Sequence, residues 1–386
     1  MRGLVGVPPS GEDERLARVA LGRLGEPGDP RITRQVQQLG AVRLYRQLCD
    51  DDPRLDLAAD AAARREGLDP AAELERAARQ GIRFVIPGDP EWPDGLDDLE
   101  HVQDLHRRGG APLGLWVRGP LRLDELCRRS VAVVGSRSAT TYGASVAGQV
   151  AADLAGAGVT VVSGAAYGID QAAHRGALSG GGPTVAVLAC GADRVYPSAH
   201  RQLLDYIADT GLVVSEAPPG SAPTKLRFLS RNRLIAALTT GTVVVEAAVR
   251  SGALNTSSWA GLLNRTVMGV PGPVTSAPSE GVHELIRSGA ATLVTRGADV
   301  LELVSPIGSH ALTLVRGPER PADRLPEVDR QVLDSVPVVS AVPAASIART
   351  AGLAEPTVRA ALERLRAAGL AERGRSGWRL APAAAP

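Results

Sequence analysis

Short apolar runs alternate with longer amphipathic stretches between residues 131 and 300. The runs are VAVVG (131–135), VTVVSG (159–164), TVAVLA (184–189), LVVSE (212–216), TVVVEA (242–247) and TVMGVPG (266–272). Runs of this length are typical of strands that are buried on both faces, and the stretches between them are long enough to be helices. The pattern therefore predicts an α/β domain over residues 81–305, built on a doubly wound, mainly parallel sheet.

The residues on either side of this domain predict two smaller ones. Residues 1–80 contain two stretches with apolar positions three or four apart, separated by EPGDP at 26–30, and predict a small helical domain. Residues 306–326 are rich in proline, glycine and charge, which is typical of a linker. Residues 327–380 have the pattern of a helix, a helix–turn–helix and a hairpin around GRSG, and this order predicts a winged-helix domain.

Composition narrows the functions that this chain can have. It contains 43 basic and 42 acidic residues, for a net charge of +1, so any basic surface must be local. No apolar run approaches the roughly 18 residues of a membrane span, and the first residues turn acidic before a signal peptide could form. The three cysteines (Cys49, Cys127 and Cys190) are too few and too widely spaced for a disulfide framework or a zinc knuckle. We expect a cytoplasmic protein without metal or cofactor.

Two small-residue loops follow the first two strands of the predicted sheet. One is Gly135-Ser136-Arg137, and the other begins Ser163-Gly164. Backbone N–H groups in such loops, at the start of a helix, can donate to an anion, and Arg137 adds a bidentate phosphate donor. The spacing is not that of a dinucleotide-binding GxGxxG motif. The two loops predict a joint anion site, and the alternative is a pair of plain strand–helix turns.

A basic segment, residues 225–233, is the strongest functional signal. It reads KLRFLSRNR and contains four cations, one aromatic residue and no acid. Lys225 is the only lysine of the chain, and Phe228 is one of its two phenylalanines. Cations that neutralise phosphates and an aromatic face that stacks on a base are the usual pairing for single-stranded nucleic acid. The alternative is a solvated basic loop with Phe228 in the core.

A second hypothesis is an enzyme on the same sheet. Residues 239–246, from TTGT to Glu246, are similar to the PGGxGTxxE element of nucleotide-cleaving phosphoribohydrolases, with Glu246 and Arg137 as the working pair. The proline and the paired glycine of that element are missing, and its carboxylate is one residue further along the strand, which turns it to the opposite face. We interpret Glu246 as structural. A third hypothesis is a winged-helix regulator whose sheet domain only senses a ligand.

Several longer motifs follow one another in order between residues 81 and 380: VAVVGSRSATTYG, SGAAYGID, DRVYPSAH, SEAPPGSAPTKLRFLSRNRLIA, VVVEAAVRSGALNTSSWA and VMGVPGPVTSAPSEGVHELIRSGA. Through these motifs the chain resembles the DNA-processing protein A (DprA/Smf) family. The resemblance implies a Rossmann-like core that binds single-stranded DNA without sequence preference. It also implies a homodimer that delivers DNA to the RecA recombinase, as in natural transformation. The helical N-terminal domain is similar to the family's SAM-like domain.

The family's DNA-binding positions fall on residues that the pattern already singles out. Its GSR arginine is Arg137, its lysine is Lys225 and its loop phenylalanine is Phe228; its RNR element is Arg231, Asn232 and Arg233. With the backbone of Gly135, Ser136, Ser163 and Gly164 as donors to a phosphate, these residues complete the predicted site.

The chain departs from the family at a few positions. Leu229 stands where proline is usual, SGALNTS replaces SGSLITA, and Val282 and His283 replace a more typical Gly-Asn pair. In the last domain, Arg359, Arg364 and Arg366 could contact duplex phosphates. A protein-contact or regulatory role for that domain is the alternative.

Overall fold

The computed structural model describes residues 11–50, 58–306, 309 and 321–382. The chain divides into two compact units, residues 1–312 and residues 313–386. The helical segment predicted at the start therefore belongs to the same compact unit as the sheet. The predicted linker, 306–326, lies largely outside the described residues. None of the helices in the described ranges has the length and apolarity needed to cross a bilayer.

The first unit begins with a cluster of short helices. Two of them start with an aspartate N-cap followed by proline, Asp29-Pro30 and Asp69-Pro70, because proline fits the first helical turn and the carboxylate accepts a free backbone N–H. Leu21, Leu44 and Leu48 are buried together between the helices. The helices are α1 (Gly11–Leu24), α2 (Pro30–Leu39), α3 (Ala41–Cys49), α4 (Ala58–Arg65) and α5 (Pro70–Arg79).

A nine-stranded sheet follows, in the order β1-β2-β6-β5-β4-β3-β7-β8-β9. Strands β3 to β9 are parallel, whereas β1 and β2 form an antiparallel edge against β6. The prediction of a mainly parallel, doubly wound sheet is confirmed. The strands are β1 (Ile82–Val85), β2 (Leu115–Arg118), β3 (Ser130–Val134), β4 (Thr160–Ser163), β5 (Thr184–Leu188), β6 (Leu212–Ser215), β7 (Gly241–Val244), β8 (Thr266–Gly269) and β9 (Thr292–Leu293).

Helices cover both faces of this sheet, which explains why its strands are continuously apolar. In β3, Val131 and Val133 are buried in one core cluster, whereas Ala132 and Val134 are buried in the cluster on the other face. The helices of this part are α6 (Leu123–Arg128), α7 (Thr141–Gly156), α8 (Ile169–Ser179), α9 (Arg201–Thr210), α10 (Lys225–Ala237), α11 (Gly252–Leu262), α12 (Glu280–Arg287) and α13 (Gly297–Val304).

The strand order reverses between β3 and β7. From β3 the chain proceeds to β4, β5 and β6 on one side, and from β7 it proceeds to β8 and β9 on the other. Connections that leave two neighbouring parallel strands in opposite directions open a crevice at the carboxyl ends of these strands. The loop after β3, which contains Arg137, therefore lies at this crevice.

The second unit contains α14 (Glu327–Asp334), α15 (Ala344–Ala351), α16 (Glu355–Ala367) and the hairpin of β10 (Ala371–Gly374) and β11 (Gly377–Leu380). Val342 forms an isolated bridge to Trp378 of the hairpin. Ile347, Leu362 and Trp378 are buried in its core. The elements follow the predicted order, and the winged helix remains our interpretation of them.

The arginines of α16 are engaged with acids of their own unit. Arg364 donates two hydrogen bonds, of 2.9 and 2.5 Å, to the buried carboxylate of Asp329. Arg359 and Arg366 pair with glutamates one turn away on the same helix. Phosphate contacts by these arginines would first have to break the pairs, so their role in duplex binding remains a prediction without geometric support.

Candidate nucleic-acid interface

A cleft of about 970 Å³ opens at the carboxyl ends of β3 and β7. Its walls are the loop after β3, the first turns of α10 and the start of α11. The cleft brings together seven of the ten predicted site residues: Gly135, Ser136, Arg137, Lys225, Phe228, Arg231 and Asn232. The other three, Ser163, Gly164 and Arg233, are buried away from its surface.

The loop after β3 and the basic segment meet through Arg137 and Phe228. The guanidinium carbon of Arg137 lies 4.4 Å from the centroid of the Phe228 ring, within cation–π range. The ring of Tyr196 also contacts the Phe228 ring, with centroids 5.8 Å apart and ring planes tilted by 56°. Arg137 is exposed and Phe228 is half-buried. Two segments that are about 90 residues apart in the chain therefore present one cationic and aromatic surface.

The basic segment is not a loop but the first turns of α10. Thr224 caps this helix by accepting a hydrogen bond from the backbone N–H of Arg227 at 3.2 Å. Leu229 is compatible with a helix through this segment, because leucine keeps the backbone N–H that proline at this interior position would remove. Successive side chains of the segment consequently point in directions about 100° apart.

Different side chains of α10 therefore contact different surroundings. Positions 225, 228 and 231 face the cleft. Positions 227 and 230 contact the turn between α1 and α2: Arg227 donates to the Glu26 carboxylate at 2.9 and 3.2 Å, and the Ser230 hydroxyl donates to the carbonyl of Pro27 at 2.6 Å. The helical segment at the start of the chain thus anchors the helix that lines the cleft.

Arg233 does not occupy the position predicted for it. Its side chain is fully buried, and it donates to both carboxylate oxygens of Glu216 at 2.6 Å and to the carbonyl of Gly110 at 3.1 Å. Asn232 donates to the Gly252 carbonyl and to Asn255 Oδ1, both at 3.2 Å, and so joins α10 to α11. Because a buried charge must be paired, Arg233 belongs to the core of the unit and not to the phosphate-binding surface.

Arg231, in contrast, is buried but only loosely paired. Its nearest acidic atom, Oδ2 of Asp170, lies 3.9 Å from Nη1, and its Nε has no hydrogen-bond partner. Burial lowers the pKa of the Arg231 guanidinium, although Asp170 opposes the shift. Burial also raises the pKa of Asp170, and this effect outweighs the nearby Arg231. A cation with unused donors therefore lies at the base of the cleft, where an incoming anion would improve its pairing.

The glycines of the two small-residue loops leave space for neighbouring groups. They do not act by offering free backbone N–H groups. A Cβ atom at Gly164 would lie 1.5 Å from Nη1 of Arg231, and one at Gly135 would lie 2.8 Å from the carbonyl oxygen of Glu246. The N–H of Ser136 is already donated to that carbonyl at 2.7 Å, and Ser163 is fully buried. The prediction that Ser136 and Ser163 present backbone donors to a phosphate is therefore not supported by the geometry.

The carboxylate of Glu246 lies at the N-terminus of α7 and helps to cap it. Only 1% of its surface is exposed, and its carboxylate accepts hydrogen bonds from the backbone N–H of Thr140 at 2.9 Å and from the Thr140 hydroxyl. A Cβ atom at Gly143 would lie 2.2 Å from the carboxyl carbon of Glu246. A carboxylate at a helix N-terminus is stabilising, and this contact accounts for Glu246 without a catalytic role.

The sequence analysis did not single out several residues of the cleft and its rim, of which three carry a ring or a cation. Tyr196 contacts Phe228, and His106 and Arg250 line the cleft itself. Tyr196 belongs to the quoted DRVYPSAH motif, and an exposed tyrosine in a chain with only 3% aromatic residues was an available signal. His106 and Arg250 have no comparable signal, because only the fold brings their loops to the cleft.

Comparisons with known proteins agree with this architecture. The family model described as DNA recombination-mediator protein A matches residues 83–305. A protein of Mycobacterium tuberculosis strain H37Rv that carries the name DprA is 45% identical over 367 residues, covering 95% of this chain and 94% of the relative. The DNA processing protein DprA of Streptococcus pneumoniae strain R6 is 40% identical over 267 residues, covering 69% of this chain and 92% of the relative.

A solved structure is similar as well. The X-ray structure of DNA processing protein A from Streptococcus pneumoniae has a TM-score of 0.61 and 32% identity, covering 76% of this chain and 98% of that chain. The fold and the cleft together define a Rossmann-like α/β protein with a cationic, aromatic surface at its topological switch point. The chain belongs to the DNA recombination-mediator protein A family, as its motifs predict.

Proposed function

We propose that this chain binds single-stranded DNA without sequence preference in the cleft at the carboxyl ends of β3 and β7. Arg137, Lys225 and Arg231 neutralise phosphates, and Phe228 stacks on a base. One observation carries the proposal: the Arg137 guanidinium lies on the Phe228 ring, in a cleft that Lys225 and Arg231 also line. Among the described residues that line the cleft, Asp170 is the only acid.

Three phosphate contacts set the expected salt dependence. Each neutralised phosphate of a single strand contributes about −0.7 to the slope of log K against log salt, so three give a slope of about −2. Affinity should consequently fall about 20-fold between roughly 50 and 200 mM salt. A hydrogen-bonding site for a specific base would show a much weaker dependence.

Charge reversal of the two exposed cations tests the proposal. We expect Arg137→Glu and Lys225→Glu each to weaken the binding of an oligo-dT at least tenfold at about 150 mM salt, as measured by fluorescence anisotropy. The matched control is Arg129→Glu, because Arg129 is also exposed but precedes β3, at the opposite edge of the sheet. Normal binding by a variant that carries both Arg137→Glu and Lys225→Glu would refute the proposed function.

The proposed role is that of a binding protein and not of an enzyme. The involvement of Glu246 in the α7 cap supports this, because the alternative phosphoribohydrolase needs a carboxylate free to act at a ribose. Incubation with nucleoside monophosphates, followed by analysis for free base, tests it. Base release that Glu246→Gln abolishes would favour the enzyme.

We further propose that the chain acts in the cytoplasm as a homodimer that delivers single-stranded DNA to RecA. The match to a recombination-mediator family supports this role. The test is RecA filament assembly on single strands with and without the protein, together with sedimentation of the protein alone. Unchanged filament assembly with intact DNA binding would contradict RecA delivery, and a monomer at micromolar concentration would contradict the dimer.

A further inference from the structure

A strained turn lies beside the proposed DNA cleft. Two backbone hydrogen bonds join the ends of residues 105–108. The N–H of Leu105 donates to the carbonyl of Arg108 at 2.9 Å, and the N–H of Arg108 donates to the carbonyl of Leu105 at 3.0 Å. The two central residues, His106 and Arg107, have φ angles of +52° and +61°. A turn with two consecutive positive φ angles is usually formed by Asn-Gly or a similar pair, because side chains with a full Cβ are strained there.

The two strained residues carry functional side chains to two neighbouring surfaces. His106 is exposed and lines the cleft together with Lys225 and Phe228. Arg107 is exposed and lines a second depression of about 320 Å³ with Arg108. The turn therefore forms the ridge between the cleft and this depression.

The second depression is lined by more cations than acids, and both of its acids are already paired. It is lined by Asp29, Pro30, Arg31, Asp104, Arg107 and Arg108. Asp29 accepts two hydrogen bonds from the guanidinium of Arg31, at 3.1 and 2.8 Å, and Asp104 is paired with Arg34.

The remaining two cations have no hydrogen-bonded acid partner. Arg107 pairs with no acid among the described residues. Arg108 donates from Nη1 to the carbonyl of Pro27 at 3.3 Å and interacts with the charges of Asp29 and Glu26, whereas its Nε is buried without a hydrogen-bond partner. The depression consequently offers the guanidinium of Arg107, on the same turn that lines the cleft.

We propose that single-stranded DNA leaves the cleft across this turn, with a nucleotide against His106 and the next phosphate at Arg107. The inference rests on the proposed function and extends its site to a second surface. It also explains the strain: Asn-Gly would form the same turn at lower cost but would offer neither a ring nor a cation. Strain that is retained at two adjacent residues is characteristic of functional sites.

The double variant His106→Asn, Arg107→Gly tests the proposal, because it should move stability and affinity in opposite directions. Relief of the strain at these two residues should raise the Tm by about 2 °C in a unit of this size. Loss of the ring and the cation should weaken the binding of a long oligo-dT at least fivefold and reduce the salt slope by about 0.7.

Two control variants separate these effects. Asn264→Gly relieves the same kind of strain, at a φ of +54°, at a residue that does not line the cleft. Arg129→Gln removes one exposed positive charge at the opposite edge of the sheet. Neither control should change the affinity by more than twofold.

The length of the strand locates the contact. Site sizes of OB-fold single-strand binders range from about 4 to about 16 nucleotides. On that scale, we expect the shorter strand to fill the cleft alone and the longer one also to cross the turn. The double variant should bind the short strand as the wild type does and the long strand more weakly, whereas Arg137→Glu should weaken both. Unchanged affinity for the long strand, or a Tm below that of the wild type, would overturn the inference. If Arg137→Glu also had no effect, the proposed function itself would fail.

Discussion

Gly164→Ala is the substitution that most directly tests how the cleft is built. A Cβ atom at this position would lie 1.5 Å from Nη1 and 2.2 Å from Cζ of Arg231. Both atoms belong to a planar group, and only 6% of the residue is exposed, so the guanidinium has to shift as a whole to make room for the new methyl group. Gly164 does not have a positive φ, so alanine adds no backbone strain. We expect the guanidinium to be displaced from its place beside Asp170.

The size of the effect follows from two contributions. Overpacking a buried position costs about 1–3 kcal/mol. Displacement of Arg231 also removes the counter-charge of Asp170, but their 3.9 Å separation makes this pair a loose one, and a buried carboxyl can take up a proton. We therefore expect a total loss of about 3 kcal/mol, near the lower limit for breaking a buried ion pair. For the larger unit, residues 1–312, this corresponds to a fall in Tm of about 5 °C.

The loss should depend on pH in a defined direction. Burial already raises the pKa of Asp170, and removal of Arg231 should raise it further. The folded variant then binds a proton that the unfolded chain, with an ordinary aspartate pKa of about 3.9, has released. The free energy of unfolding of the variant therefore falls as the pH rises from the unfolded to the folded pKa of Asp170. Its loss of stability relative to the wild type should consequently be larger at pH 8 than at pH 5.

Calorimetry of the full chain, with an oligo-dT titration of the same samples, measures both consequences. Gly261→Ala is the matched control, because its Cβ meets nothing within 4 Å and alanine is favoured in a helix by about 0.5–1 kcal/mol. In an Arg231→Leu background, Gly164→Ala should cost much less, since the group it displaces is gone. Equal costs in the two backgrounds, or a Tm close to the wild type, would refute the steric reasoning.

Three further outcomes are expected from the buried charges and thiols. Glu216→Ala leaves the fully buried Arg233 without its carboxylate and should cost about 3–5 kcal/mol in urea unfolding; a cost below 1 kcal/mol would contradict the assigned pairing. Hydrogen bonds from Arg364 lower the pKa of Asp329, so their stabilising effect should be present above about pH 4 and lost as the pH falls through the lowered value. Acid titration of the full chain by near-ultraviolet circular dichroism should detect that loss, and Asp329→Asn should abolish it. Of the three cysteines, only the exposed Cys49 should react with a thiol reagent within minutes at pH 8, which mass spectrometry of the labelled native protein can verify.

The basic segment shows where sequence reasoning stops. The run of four cations is evident from the letters alone, and so is the unusual presence of Phe228 within it. Which cations are available to a ligand depends on the helix that the run forms, since α10 turns Arg231 toward the cleft and Arg233 toward the core. If all the cations of the run are treated as one surface, the number of phosphate contacts is overestimated.

Distant partners account for the other differences. Arg227 pairs with Glu26, a residue 201 positions earlier in the chain, and no local pattern predicts such a pair. The same holds for His106, whose loop lies at the cleft although it precedes β2, a strand of the antiparallel edge of the sheet. In contrast, the loop after β3 was predictable, because every parallel strand delivers its next residues to the same edge.

The amino-acid sequence by itself determined the parallel sheet, the order of its strands along the chain, and the residue types that follow each strand. These properties depend on local hydrophobic periodicity and on glycine and proline, which act over a few residues. Tertiary structure alone decided which cations are neutralised and which remain free, because a buried charge is stable only beside a partner that the fold brings to it. Arg233 beside Glu216 and Arg231 with unused donors show the two outcomes within three residues of one helix.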